Sequence, residues 1–94
     1  RVDDLAELLA ALEEGVCEMK RLWVAEAARG TGLGRRLIET CFAGAREAGY
    51  RSMRLDTIAG MERAIALYHE YGFREIPPYC DNPLPGVVYL ELEL

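Results

Sequence analysis

The sequence holds few of the residues that usually mark a reactive centre. It has one histidine, His69, and three cysteines, Cys17, Cys41 and Cys80, in 94 residues. The cysteines are scattered without the close spacing of a metal site, and no metal is expected. An odd, sparse set also argues against a disulfide framework. It fits reduced thiols in a cytoplasmic protein, with Cys17 and Cys41 read as core residues. No apolar run approaches the roughly 20 residues that span a bilayer, so no membrane partner is expected. No signal-peptide pattern opens the chain. All four prolines fall within "PPYCDNPLPG", residues 77–86, which reads as a loop and leaves the rest free for regular elements. There is no internal repeat and no low-complexity segment. The first residue is Arg1 rather than a methionine, so a processed or excised piece is expected.

What is present points to one small domain, residues 1–94. Hydrophobic residues make up 51 %, enough for a core and too many for a disordered tail. The net charge of -5 hides an asymmetry. Between Lys20 and Arg54 there are eight basic and three acidic residues, while the remainder has three basic and thirteen acidic. An acidic protein with a basic middle argues against nucleic-acid binding and leaves room for a site for a small anion.

Residues 3–14, "DDLAELLAALEE", are dense in helix formers and read locally as an amphipathic helix stopped by Gly15. "VCEMKRLWV", 16–24, reads as a strand covered on both faces. From Leu33 to Ala48, Leu33, Leu37, Ile38, Cys41, Phe42 and Ala45 share one helical face, and Arg35, Arg36, Glu39, Arg46 and Glu47 oppose it. "RSMRLDT" is a short strand. "MERAIALYHEYG" is a second helix, with Ala64, Ile65, Tyr68 and Tyr71 at helical spacing and Gly72 as its stop. "FREI" and "VVYLELEL" complete the strands. Strand-helix-strand units of this kind give an α/β layered domain.

Between the first strand and the long helix lies "ARGTGLGRRLIET", residues 28–40, with glycines at 30, 32 and 34. Glycines there let a ligand approach the backbone. The first amides of the helix lack intrahelical partners and, with the helix dipole, form a phosphate site. Arg29, Arg35 and Arg36 add charged donors. A dinucleotide fingerprint lacks its third glycine here, and a P-loop lacks its lysine. Arg29-Gly30-Thr31-Gly32-Leu33-Gly34 instead meets the pattern Q/R-x-x-G-x-G/A. That run, with "LWVAEAARGTGLGRRLIE" around it and "AIALYHEYGFREI" further on, resembles the GNAT superfamily of N-acetyltransferases over residues 16–94.

The resemblance implies a mixed sheet of about four to five strands flanked by helices, with acetyl-CoA as the acyl donor and a primary amine, small-molecule or peptide, as acceptor. It implies that the backbone of Leu22, Trp23 and Val24 pairs with the pantetheine arm, and that Arg29, Gly30, Thr31, Gly32, Leu33, Gly34 and Arg35 hold the pyrophosphate. Tyr68 matches the tyrosine that in many members protonates the departing thiolate. Glu18, on the presumed substrate strand, is the candidate base that takes the amine's proton. His69, beside Tyr68 on another side of the helix, reads as surface. Asp56 reads as a strand end that contacts substrate or caps the next turn.

Two features depart from the family. Met61 stands where many members have an asparagine that contacts the cofactor. Only fifteen residues precede Val16, so the early strand, helices and strands of a complete domain are expected to be missing. By position in the family, Ala6 to Leu12 should be a strand in a hairpin turning at "EEG", against the helix that its composition favours. A partner, a second copy included, would then cover the exposed sheet edge. Other readings are a non-catalytic acyl-CoA-binding or interaction module and a different nucleotide binder using the same loop.

Overall fold

Seven elements follow one another along the described residues of the computed structural model, 9–19 and 33–94. Strands β1 (Leu9–Glu13) and β2 (Val16–Met19) precede helix α1 (Leu33–Glu47). Then come β3 (Ser52–Ile58), α2 (Glu62–Glu70), β4 (Arg74–Ile76) and β5 (Val87–Glu93). The strands form one mixed sheet in the order β1-β2-β3-β5-β4. β2 and β3 are parallel, and the other three pairings are antiparallel.

This order explains where the helices lie. β3 and β4 both run antiparallel to β5 and so parallel to each other. Each helix therefore crosses between parallel strands, and both crossings move in the same direction across the sheet. Right-handed crossovers then place both helices on one face. One buried cluster joins them to the sheet. It holds Cys17 and Met19 of β2, Ile38, Cys41, Phe42 and Ala45 of α1, Met53 and Leu55 of β3, Ala64 and Tyr68 of α2, and Leu90 of β5. The helical face read from residues 33–48 is the face that packs, at the four of its positions whose side chains are described.

The amino-terminal stretch departs from its composition. Leu9–Glu13 is a strand and not a helix, and it forms a hairpin with β2 through Glu14 and Gly15. Leu9 faces Met19, Ala10 faces Glu18 and Ala11 faces Cys17, before a bulge shifts the register to Glu13 and Val16. A lone helix of about 12 residues is marginal in water. A ladder to a strand already held in the sheet outweighs the few tenths of a kcal/mol per residue that propensity supplies. The Gly15 carbonyl also accepts bonds from the amides of Arg51 and Ser52, at 2.7 and 3.1 Å, tying the turn to the start of β3. The earlier part of the predicted helix, residues 3–8, lies outside the described residues.

The glycines that follow the two helices stop them, whereas Gly15 lies in a hairpin turn. At the end of α1 the amides of Gly49 and Tyr50 bond to the carbonyls of Arg46 and Ala45, and at the end of α2 those of Gly72 and Phe73 bond to His69 and Tyr68. These are paired closures that satisfy the last helical carbonyls. The second matters for packing, because it turns Phe73 onto Tyr68, with ring centroids 5.6 Å apart. Phe42 of α1 meets the same group, 5.4 Å from Tyr71 and 6.1 Å from Phe73. Gly72 has φ +104°, and a Cβ there would stand 3.3 Å from Leu92 Cδ1. Gly72→Ala is expected to destabilise the fold by about 1–2 kcal/mol, chiefly through backbone strain. A urea titration measures it, and an unchanged midpoint would contradict this account.

Candidate active site

The pairing of β2 with β3 covers Val16 to Glu18 against Ser52 to Arg54. β3 continues to Ile58, and among the described residues its Leu55–Ile58 half pairs only with β5. Alternation along the strands sorts the side chains here. Cys17, Met19, Met53 and Leu55 face the helices, while Glu18, Arg54 and Asp56 face the other way. The two catalytic candidates thus lie on opposite faces. Tyr68 sits in the helix-side cluster, fully buried, and Glu18 stands half-buried on the far face.

Of the predicted phosphate and pantetheine contacts, Leu22, Trp23, Val24, Arg29, Gly30, Thr31 and Gly32 lie outside the described residues. Leu33 and Gly34 open α1, so the helix begins inside the glycine cluster. Its first turn has no acidic residue and carries Arg35 and Arg36. Arg35 has an engagement that its spacing did not announce. Its Nη2 donates to Glu70 Oε1 at 2.7 Å, and its guanidinium lies 5.9 Å from the centroid of the Tyr71 ring. Tyr71 in turn donates to Glu39 Oε2 at 2.7 Å. The first turn of α1 is thereby fastened to the end of α2. Both partners of the ion pair are more than half exposed, 51 % and 58 %, so the link is weak and exchangeable.

The far face is roofed by the proline-rich loop 77–86, whose polar side chains reach back to the sheet. Tyr79 donates its hydroxyl to Glu18 Oε2 at 2.7 Å. Its ring meets Tyr89 edge-on, with centroids 5.3 Å apart, and lies under the Arg54 guanidinium at 5.6 Å. Asn82 Nδ2 donates to Asp56 Oδ2 at 3.0 Å, and Tyr89 donates to the Cys80 carbonyl at 3.0 Å. Arg54 is itself held by Glu91 at 2.8 Å and Glu13 at 3.3 Å. Burial, then the Glu18 carboxylate, push the Tyr79 phenol well above its ordinary range, so it remains a donor.

Neither Tyr79 nor Asn82 follows from the motifs. A usable signal was the placing of Arg54 and Asp56 on one face of a strand, since buried polar groups need partners. Asp56 is 8 % exposed and lies within β3, two residues before its end rather than at it, where it accepts from Asn82. His69 is exposed and donates from Nδ1 to the Phe73 carbonyl at 2.9 Å, matching its surface reading. Met61 precedes α2 without a side-chain cap and packs against the core. Cys17 and Cys41 are buried free thiols, pushed by burial to about 11 and about 12. Among the described residues no three His, Cys, Asp or Glu side chains could gather a metal, and no helix is long and apolar enough to cross a membrane.

Comparison with known proteins agrees with this architecture. Residues 2–73 match the Acetyltransferase (GNAT) family. An uncharacterized N-acetyltransferase of Schizosaccharomyces pombe is 44 % identical over 80 residues, which is 85 % of this chain and 49 % of that protein. The chain thus spans about half the length of the relative it matches. Among solved structures, a Klebsiella pneumoniae protein assigned to the acyl-CoA N-acyltransferases superposes with a TM-score of 0.75 and 32 % identity, over 92 % of this chain and 60 % of that one. A GNAT family acetyltransferase of Elizabethkingia anophelis, solved with acetyl-CoA bound, shares the fold with a TM-score of 0.68 at 18 % identity, over 92 % of this chain and 65 % of that one.

Proposed function

The chain belongs to the GNAT acetyltransferase family, and from that premise we propose that it takes part in moving an acetyl group from acetyl-CoA to a primary amine. The observation that carries the reading is the opening of α1 at Leu33, inside the glycine cluster, with two arginines and no carboxylate in its first turn. Orphan amides, a positive dipole end and adjacent guanidiniums suit a pyrophosphate. The bound acetyl-CoA of the Elizabethkingia protein supports the same donor. The free thiols support a cytoplasmic setting. A second copy laid on β1, an outer strand of the described sheet, would complete the homodimer that belongs to this reading.

The chemistry follows from the placement of the two candidates. An amine with an ordinary pKa near 10 must lose a proton before it can attack. Glu18, on the far face, accepts that proton, and the neutral nitrogen then bonds to the thioester carbon. A backbone N–H of the same strand meets the carbonyl oxygen as it gains charge. The carbon-sulfur bond then breaks, Tyr68, on the helix face, gives its proton to the departing thiolate, and the second proton shed by the nitrogen as it becomes an amide restores the phenol. Acid and base work from opposite sides of the sheet, with the thioester between β2 and β3.

Burial favours a second reading. Tyr68 has no exposed surface, and a proton donor must meet the sulfur. A chain that binds acyl-CoA without turning it over would keep this tyrosine as a core residue. Thermal denaturation with and without acetyl-CoA, followed by thiol release with a panel of amines, separates the readings. A rise in melting temperature with turnover is the expected result. A rise without turnover selects the non-catalytic binder. No rise with acetyl-CoA removes both, and a rise with ATP or NAD instead selects a different nucleotide site.

A further inference from the structure

The loop 77–86 carries all four prolines and lies against the strands that bear the far-face candidates. Side-chain hydrogen bonds attach it to three strands. Tyr79 bonds to Glu18 on β2, Asn82 to Asp56 on β3, and the Cys80 carbonyl to Tyr89 on β5. A loop that only connected β4 to β5 would not need a separate side-chain bond to each of the three central strands. The first bond is the one that touches the reaction proposed above.

We propose that Tyr79 is the positioning residue for Glu18, fixing which carboxylate oxygen faces the incoming amine; this rests on the reading of Glu18 as the base. Three contacts hold Tyr79. Its ring stands edge-on to Tyr89, its face lies beneath the Arg54 guanidinium, and its hydroxyl reaches Glu18 Oε2 at 2.7 Å. A phenol bonded to a carboxylate at that distance is a charge-assisted contact, stronger than a neutral one. Arg54 cannot drift away, because Glu91 and Glu13 hold it from both sides. Glu18 is therefore restrained through a chain of contacts that begins on β5 and β1. With Oε2 fastened by Tyr79, the role of taking the amine's proton falls to Oε1. A base held in one orientation serves proton transfer better than one that rotates among several.

This reading differs from a structural one in what happens when Glu18 is already disabled. The experiment is a kinetic double-mutant cycle of Tyr79→Phe and Glu18→Gln on the chain, with acetyl-CoA and its best amine acceptor. Phenylalanine keeps the ring against Tyr89 and under Arg54 and deletes only the hydroxyl. Tyr79→Phe alone is expected to lower kcat about tenfold, part of the hundredfold or more that a positioned base contributes. KM for acetyl-CoA and the melting temperature should stay as they are. In the Glu18→Gln background the same change should cost nothing further. Losses that multiply, or an unchanged kcat in Tyr79→Phe, overturn the positioning role while leaving the acetyltransferase reading intact. An unaffected Glu18→Gln overturns the base assignment and the proposal with it. A wild-type chain stabilised by acetyl-CoA that turns over no amine overturns the catalytic reading as a whole.

Discussion

Replacing Tyr68 by phenylalanine is expected to lower turnover about a hundredfold while leaving acetyl-CoA affinity and the melting temperature nearly unchanged. The residue lies on α2 with no exposed surface, its ring edge-on to Phe73 at 5.6 Å. Phenylalanine keeps that ring, nearly its volume and its contact with Phe73, so packing gives little reason for a loss of stability. What disappears is one hydroxyl, and a large kinetic effect with a small thermal one would assign the loss to that hydroxyl rather than to packing. Stopped-time assays of thiol release across acetyl-CoA concentrations separate kcat from KM. Equal turnover in the two proteins would make Tyr68 a core tyrosine and remove the acid from the mechanism. A fall in melting temperature matching the fall in rate would have the same meaning.

The periodic parts of the fold could be read from the sequence, and the parts set by pairing could not. Ile38, Cys41, Phe42 and Ala45 announce a buried face because helix geometry repeats every 3.6 residues, and they are buried. Gly49 and Gly72 announce helix ends because only that residue takes the turning conformation easily. The strand at Leu9–Glu13 has no such internal mark. Its composition favours helix, and its conformation is decided by β2, whose hydrogen bonds no local rule can see. The site divides in the same way. The opening of α1 within the glycine cluster was legible, because a strand-loop-helix junction has a residue signature. The bond from Tyr79 to Glu18 joins residues 61 apart through a loop without period. Arg35 shows a subtler limit: its charge and its place at the helix start were legible, but its partner Glu70 belongs to the other helix.

The second large effect is thermodynamic, and Leu55→Ala should produce it. Leu55 sits on β3, faces Leu90 of β5 across the ladder, and has no exposed surface, as Leu90 has none. Its side chain belongs to the cluster that both helices share with the sheet. Truncation leaves a void in a cluster whose neighbours Met53, Tyr68 and Leu90 are themselves fully buried, so little can collapse into it. Leucine-to-alanine changes in such places cost about 2–5 kcal/mol. A domain of this size has about 5–15 kcal/mol in total. The melting temperature should therefore fall by at least about 10 °C. Leu84, 52 % exposed on the loop, provides the contrast, and its alanine variant should melt with the wild type. Calorimetry on the pair tests the assignment of the core. If the Leu55 variant melted beside the Leu84 variant, β3 would not be the central strand that carries both helices. The two crossovers would then have to be re-placed in the sheet.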